Sequence, residues 1–219
     1  MIKHLKENDL CNLNRFYRAN LMNSIIGIKQ ANLIGTISEL GINNVAIFSS
    51  VVHLSSNPAL IGLFVRPKTI PPKQTLNNIL SIEEFTINHV NENIINRSHA
   101  TSFKFNEFNS EFDQCNLSEF KIKNFRAPFV KDSNVSIGLK YVNKYDIKEN
   151  GTTMIIGEVK HIIIKNDNYL SESGELNFEY SSSIGVSGNN SYFDLKFNKT
   201  LDYLGSNKES LINTLDPDE

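Results

Sequence analysis

The sequence predicts one mainly β domain over residues 1–219, built on a closed antiparallel barrel with a few peripheral helices. Three observations predict this fold class: short apolar runs typical of strands recur along the whole chain, helical segments are few, and no Pro/Gly/Ser-rich linker divides the sequence. The chain has 219 residues, of which 40% are hydrophobic, so it can bury a sizeable core.

The first elements are expected to be a hairpin and a buried strand. β-rich runs at Leu33–Ser38 and Asn43–Phe48 flank a short stretch with Gly41, which favours an antiparallel pair. Further on, Pro58 precedes the continuous apolar run ALIGLFVRP, a pattern expected of a strand buried on both faces. Three prolines then predict a loop: Pro67, Pro71 and Pro72.

The middle of the chain is expected to combine helices with one strand. Thr75 can cap a helix over TLNNIL, and EFTINHV alternates as a strand does, with Phe85 and Ile87 on one face. A further helix is expected from Glu92 to Ser102. Residues 104–131 have a mixed pattern that predicts no definite element.

The C-terminal third is expected to contain a long hairpin. The runs VSIGLKYV and TTMIIGEVKHIIIK flank Asn150-Gly151, a strong turn signal, although the connection is longer than two residues. The stretch SSSIGVSGNNSYFDL is expected to form a polar loop with an aromatic pair, Tyr192 and Phe193. The acidic end DPDE is expected to be frayed.

Charge and composition argue against several partners and compartments. The formal net charge is -2 and the pI is about 6.2, so no long-range positive field would gather nucleic acid or an anionic membrane. The opening MIKHLKENDL is too charged for a signal-peptide core, and no apolar run could span a bilayer. Cys11 and Cys115 stand apart from other cysteines, which fits a reducing compartment. The cytoplasm is therefore the expected location.

The sequence motifs predict neither a metal site nor a nucleotide-binding fold. The five histidines have no metal-ligand spacing, so no metal site is expected, and His89 and His161 lie on strand patterns that favour structural roles. No GxGxxG follows a strand and no GxxxxGK[ST] occurs, so neither a dinucleotide-binding fold nor a P-loop is predicted.

The stretch IFSSVVHLSSNPAL, residues 47–60, carries the first indication of a binding site. A strand that ends in serines and is followed by Asn57-Pro58 is expected to turn away from its sheet and to free backbone N–H groups. With these amides, four serine hydroxyls make an uncharged donor set suited to a phosphate or to the polar edge of a heterocycle: Ser49, Ser50, Ser55 and Ser56. Serines that only cap turns are the alternative.

A longer set of segments resembles a known family. RFYRANLMNSIIGIKQANLIGTISELGINNVAIFSSVVHLSSNPALIGLFVRP is followed, in the expected order, by TLNNI, EEFTINHV, SHATSFKFNEFNSEF, APFVKDSNVSIGLKYV and NGTTMIIGEVKHI. Together these stretches, from about Phe16 to Tyr192, resemble the flavin reductase-like proteins with the FMN-binding split barrel. The resemblance implies that the barrel is split, that FMN is the cofactor, and that the chain forms a homodimer with the flavin near the subunit interface.

The resemblance also implies which residues hold the cofactor. Ser49 and Ser50 match a serine pair facing the isoalloxazine ring and the ribityl chain, whereas Arg66, Thr75 and Asn78 lie where the family contacts the phosphate. Ala59 stands where the family has the second proline of a Pro-Pro step. The full set of implied cofactor-binding residues is Asn44, Phe48, Ser49, Ser50, His53, Ser55, Arg66, Thr75, Asn78 and His99.

Two histidines and two aromatic residues have open roles. His53 can hydrogen-bond the flavin ring or a substrate, which makes it the one candidate for a catalytic role, or it can pack at the barrel mouth. His99 can lie near the cofactor or bond a carbonyl group at a helix end. Tyr192 and Phe193 can cover the flavin or lie at a dimer interface.

These residues predict an FMN-binding oxidoreductase of the flavin reductase type. Hydride would pass from NADH or NADPH to bound flavin, and from there to free flavin or another small-molecule acceptor, so no protein acid, base or nucleophile is required. Three alternatives remain: a non-catalytic protein that stores or senses FMN, a split-barrel enzyme that oxidises an amine phosphate, and a purely structural barrel. The amine phosphate enzyme should bring more basic residues to its substrate than this sequence does.

Overall fold

A seven-stranded antiparallel sheet organises the fold in the computed structural model, which describes residues 2–67, 74–201, 203–205 and 214. The strands are β1 (Lys29–Gln30), β2 (Asn32–Ile37), β3 (Asn43–Phe48), β4 (Val51–Ser56), β5 (Ala59–Val65), β6 (Glu84–His89), β7 (Glu119–Phe120), β8 (Phe129–Val130), β9 (Val135–Ile147), β10 (Thr152–Ile164), β11 (Ile184–Ser187) and β12 (Ser191–Asp194). The helices are α1 (Glu7–Asn12), α2 (Arg15–Ser24), α3 (Gln74–Ile82), α4 (Ile95–Ala100) and α5 (Glu111–Gln114), with 3₁₀ turns at Glu92–Ile94 and Asp167–Tyr169.

The strand order explains why the barrel is split. The large sheet runs β3-β2-β6-β9-β10-β5-β4, so β3 and β4 form its two edges although only Ser49 and Ser50 separate them in sequence. Three residue steps reach about 11 Å at most, so the sheet has to curl until its edges meet at this junction. Within the described residues β3 and β4 do not pair, which leaves the barrel open along that line. The mainly β, antiparallel fold and the split barrel implied by the resemblance are confirmed, whereas the closed barrel predicted from the strand pattern is wrong.

Two smaller sheets complete the strands. A three-stranded sheet has the order β1-β11-β12, and β7 pairs with β8. Both contacts are antiparallel, with Lys29 opposite Val186 and Phe120 opposite Phe129. Among the described residues no helix is long and apolar enough to cross a membrane.

The hydrophobic core lies on both faces of β2. Leu33 belongs to one cluster, with Val45 and Phe112, whereas Ile34 belongs to another, with Ile79 of α3. Successive side chains of a strand point to opposite faces, so a strand that is buried throughout needs a layer on each side. The helix α3 supplies one layer, and the segment around α4 and α5 supplies the other.

Several predicted elements are confirmed. β2 and β3 form the first hairpin, the apolar run after Pro58 is β5, and β9 and β10 form the long hairpin around Asn150-Gly151. The helix expected from Glu92 to Ser102 is a 3₁₀ turn followed by α4. His89 and His161 are structural: His89 is largely buried beside Ser183, and His161 packs edge-on against Phe125 at 5.1 Å.

Three further predictions are wrong. The chain does not leave its sheet after Ser50, because residues 51–56 form β4, which pairs with β5 and is bulged between His53 and Ser55. Asn57 and Pro58 form the turn between these strands, where proline removes no bond from the ladder. The supposed C-terminal polar loop is the β11–β12 hairpin, with its turn eased by the positive φ of Gly188.

The third error concerns α3. Thr75 does not cap this helix but lies within it, with a buried side chain. The mixed stretch 104–131 contains α5, β7 and β8. The predicted loop at Pro71 and Pro72 and the frayed DPDE end lie outside the described residues.

Candidate functional site

The β3–β4 junction presents the first two predicted donors. The Ser50 hydroxyl donates to the carbonyl oxygen of Phe64 at 2.7 Å, and the Ser50 carbonyl accepts from the Phe64 amide at 2.9 Å. Ser49 is half-buried, and its hydroxyl has no hydrogen-bond partner among the described residues. Phe48 packs inward against the core. Ser50 therefore fixes the junction to β5, whereas Ser49 retains a free hydroxyl.

Arg66 brings a cation to the same place. It follows β5 two residues after Phe64, hence about 7 Å further along the chain. Its exposed guanidinium donates to Asn189 Oδ1 over a long 3.3 Å. Because a guanidinium carries five N–H donors, most of them have no partner among the described residues and can bond an anion.

The β11–β12 hairpin contacts both Arg66 and helix α4. Asn189 at the hairpin turn contacts Arg66, and the Tyr192 hydroxyl lies 2.9 Å from His99 Nδ1 with the two rings edge-on. Burial raises the pKa of the Tyr192 phenol, which therefore keeps its proton at neutral pH. The Thr101 hydroxyl in turn accepts from the amide of Ile47 at 2.9 Å.

Pairwise contacts connect four segments: Ser50 bonds Phe64, two residues before Arg66, and the β11–β12 hairpin contacts both Arg66 and His99. We group Ser49, Ser50, Arg66, His99 and Tyr192 on these contacts. These five residues form the rim cluster. Its donors are uncharged except for one arginine, and its side chains are exposed or half-buried. Such a set can hold an anionic group at one end and a neutral polar ligand at the other.

His53 and Ser55 lie away from the rim cluster. Ser55 lies five residue steps along β4 from Ser50, a distance of about 16 Å. The Ser55 hydroxyl donates to the Pro58 carbonyl, and the exposed His53 has its Nε2 3.4 Å from the hydroxyl of Ser56. In this structure Ser55 therefore serves the β4–β5 turn.

Three other predicted residues form a second, buried group. Asn44 Nδ2 donates to Glu111 Oε2 at 2.6 Å, and its Oδ1 accepts from the hydroxyls of Thr36 at 3.2 Å and Thr75 at 3.4 Å. Asn78 Nδ2 donates to the Thr36 hydroxyl at 3.1 Å. All five side chains are at most 7% exposed. These residues, Thr36, Asn44, Thr75, Asn78 and Glu111, are called the amide network.

Helix geometry places two members of this network. Thr75 and Asn78 lie three residues apart on the face of α3 that packs against β2 and β3, so both side chains point into the protein. Asn44 and Thr36 lie directly opposite each other in the β2–β3 pair. The polar groups therefore meet between sheet and helix, where each needs a partner.

Glu111 was not predicted from the sequence. Burial raises the pKa of its carboxyl group, and hydrogen bonds from its own backbone amide, from the Val45 amide and from Asn44 oppose that rise. It lies in the stretch without a definite pattern, in the first turn of α5, where an acidic residue is common for reasons of helix electrostatics alone. No sequence signal therefore marks it as buried.

A cavity of about 250 Å³ opens beside the amide network. Its lining includes the amides of Asn44, Asn77 and Asn78 and the apolar side chains of Leu40 and Phe108. Leu40 is 77% exposed and Phe108 is 64% exposed. The cavity therefore combines amide groups with an apolar rim, a lining suited to a planar ligand with polar edges.

Comparisons with known proteins identify the family of the chain. The family model of the flavin reductase like domain matches residues 29–177, which include every predicted site residue. A provisionally assigned flavin reductase with a split barrel domain from Shewanella frigidimarina is 34% identical, with a TM-score of 0.87 over 92% of this chain and 99% of that one.

Two more distant structures share the fold. Nitrilotriacetate monooxygenase component B from Bacillus cereus is 18% identical, with a TM-score of 0.80 over 92% of this chain and 99% of that one. An FMN-binding protein from Thermus thermophilus, solved with 1-cyclohex-2-enone, is 15% identical, with a TM-score of 0.64 over 78% and 90%. Because the family model covers more than half of the sequence, the chain belongs to the flavin reductase-like domain family and is a flavin-related oxidoreductase.

Proposed function

We propose that the protein binds FMN and passes hydride from NADH or NADPH, through the flavin, to free flavin or another small acceptor. The contacts that support the proposal are those of Ser50 with Phe64, Arg66 with Asn189 and His99 with Tyr192, which connect the β3–β4 junction, the end of β5, α4 and the β11–β12 hairpin. Membership of the flavin reductase-like family supports the same chemistry.

The chemistry of the rim cluster fits FMN. The cofactor has a planar ring with polar edges, a ribityl chain rich in hydroxyls and a terminal phosphate. The half-buried Ser49 hydroxyl has no partner in the described residues and can bond the ring or the ribityl chain. Arg66, which has one long contact in the part of the chain that the structure describes, can bind the phosphate through charge-assisted hydrogen bonds.

The amide network plays a supporting part in this proposal. Asn44 and Asn78 line the cavity, but their side chains are already paired with Glu111 and Thr36. We assign Asn44, Thr75 and Asn78 to holding α3 against β3, so that the wall of the site keeps its shape. Asn44 lies four residue steps from Phe48 along β3, which places this wall about 13 Å from the end of β3 that precedes Ser49.

We assign the remaining residues to controlling how water and substrates reach the site. Tyr192 is held by His99, so its ring stays at the rim and limits the entry of water. Phe48 packs inward and gives the junction an apolar floor. His53 is exposed on β4, where it can contact a nicotinamide or an acceptor.

Catalysis needs no acid or base from the protein. FMN, when bound, supplies the hydride chemistry, and the chain supplies binding, orientation and control of water. Arg66 binds the phosphate, Ser49 orients the ring and its side chain, Ser50 fixes the junction that carries Ser49, and the hairpin residue Tyr192 shields them. Small substrates reach the site from the open side of the barrel.

A flavin titration followed by anaerobic reduction tests the proposal. The purified chain should be yellow, or should quench the fluorescence of added FMN, and its visible flavin absorption should bleach when NADH or NADPH is added. A colourless protein with no response to FMN would show that the proposal is wrong. Tight FMN binding without reduction by either nucleotide would instead favour storage or sensing of FMN.

A further inference from the structure

The cavity beside the amide network has a lining that favours an uncharged, planar ligand. It measures about 250 Å³, and half of its lining residues are asparagine or glutamine. Among the described residues, Glu107 is the one charged side chain of this lining, which includes no lysine, arginine or histidine. A phosphate would therefore find no cation in the cavity, whereas the edge of a nucleobase offers the donors and acceptors with which amides pair.

Three lining residues match the parts of an adenosine. The exposed Asn77 amide has no hydrogen-bond partner among the described residues, and an asparagine amide can form two hydrogen bonds with the edge of adenine that carries the amino group. The largely exposed ring of Phe108 offers a face on which a base can stack. The exposed Glu107 carboxylate can accept a hydrogen bond from the 2′-hydroxyl of the ribose, as acidic residues do in dinucleotide-binding sites.

The segment 101–111 connects this cavity with the rim cluster along the edge strand β3. At one end of the segment the Thr101 hydroxyl accepts from the Ile47 amide, and at the other end the Glu111 carboxylate accepts from Asn44. The cavity-lining residues of the segment lie between these two points in sequence. Asn44, in the cavity lining, lies about 13 Å from the end of β3 that leads into the rim cluster. A dinucleotide in its extended form spans such a length, so its two ends can occupy the cavity and the rim.

Charges in this segment indicate which dinucleotide fits. Lys104 is exposed and lies in sequence between Thr101 and Glu107, so it can pair with the diphosphate that joins the two ends. Glu107 would repel the additional 2′-phosphate of NADPH. We propose that the cavity binds the adenosine end of NADH and that Glu107 makes the protein select NADH over NADPH. This inference rests on the proposed function, which requires a nicotinamide donor, and it adds where the far end of that donor is held.

Steady-state flavin reduction with three donors tests the proposal. NADH, NADPH and reduced nicotinamide mononucleotide share the reacting ring, but the mononucleotide lacks the adenosine. The wild-type kcat/KM should be roughly tenfold or more higher with NADH than with NADPH. Glu107→Arg should lower kcat/KM for NADH roughly tenfold and raise it for NADPH, with the value for the mononucleotide unchanged. Glu172→Arg makes the same charge change at an exposed position outside the cavity lining and should leave all three values unchanged.

Calorimetric titration with adenosine 5′-monophosphate tests the cavity without any flavin chemistry. The wild type should bind this nucleotide, and Asn77→Leu, which puts an apolar side chain into the lining and suits a helix, should abolish binding while the protein stays folded. A wild type that prefers NADPH would overturn the proposal, as would variants that lose NADH and the mononucleotide equally. Nucleotide binding without flavin reduction by any donor would defeat the proposed function and uphold the cavity assignment. Reduction by NADH that neither variant alters would do the opposite.

Discussion

The rim cluster and the amide network both contain residues that resemblance assigns to the cofactor, yet they differ in how their polar groups are paired. In the amide network Asn44 uses both ends of its side chain, and all five members are buried. In the rim cluster Ser49 has no partner in the described chain, and Arg66 has one long contact. A buried polar group needs a protein partner, whereas an exposed one can exchange water for a ligand. The network should therefore govern stability, and the rim should govern affinity.

The largest expected effect is the loss of Asn44. Asn44→Ala leaves the buried Glu111 carboxyl and the hydroxyls of Thr36 and Thr75 without their shared partner, so the free energy of unfolding should fall by about 2–4 kcal/mol. Urea denaturation measures it. The control is Asn109→Ala, an exposed amide that should change stability by less than about 0.5 kcal/mol. Equal, small losses in both variants would contradict the stabilising role of the network.

The next effect is on ligand affinity at the rim. Arg66→Met keeps much of the aliphatic stem but removes the guanidinium, so FMN affinity should fall by about 1.5–3 kcal/mol, roughly ten- to a hundredfold. Riboflavin, which has the same ring and no phosphate, should bind almost unchanged. The free energy of unfolding should also stay nearly constant, because Arg66 is exposed.

Calorimetric titration with both ligands checks this prediction. If riboflavin weakens as much as FMN, Arg66 acts through the shape of the site rather than through the phosphate. If neither ligand is affected, the arginine is a solvated strand end, and the phosphate is bound elsewhere.

The pH dependence of the free energy of unfolding tests the role of Glu111 in the amide network. The folded-state pKa of Glu111 lies above its ordinary value of 4.5, mainly because of burial. Between the pKa of Glu111 in the unfolded chain and its higher pKa in the folded chain, the folded chain holds a proton that the unfolded chain has lost. The free energy of unfolding should therefore decrease as the pH rises through this range. Glu111→Gln cannot titrate and should lack this decrease. Urea denaturation of both proteins across this pH range measures the difference, and parallel curves would contradict the assignment.

Much of the fold could be predicted because its signals are local. Alternating and continuous apolar runs located β2, β3, β5 and β9–β10, and Asn150-Gly151 marked the long turn. The errors arose where two interpretations shared the same residues. Serines and Asn57-Pro58 suit a departing loop as well as an edge strand with a tight turn, and only the pairing with β5 decides between them.

The candidate site shows the same limit. Resemblance identified Ser49, Ser50, Arg66 and His99, but not the hairpin contacts that join them, because Asn189 and Tyr192 lie more than 90 residues from their partners in sequence. Glu111 was missed for a similar reason, since its burial depends on β3 packing against α5, which no local pattern reports.

The smallest expected effects come from a matched pair of single hydroxyl deletions, one in each region. Ser49→Ala should cost about 1 kcal/mol of FMN affinity, the value of one uncharged hydrogen bond, with little change in the free energy of unfolding. Thr75→Val should show the reverse: it removes a buried 3.4 Å bond to Asn44, so stability should fall by about 1 kcal/mol while FMN affinity is kept. Both variants are measured by urea denaturation and by titration with FMN and riboflavin. Should Thr75→Val weaken FMN but not riboflavin, Thr75 contacts the phosphate directly, as the resemblance implies, and the division between a ligand-binding rim and a stabilising network would have to be redrawn at α3.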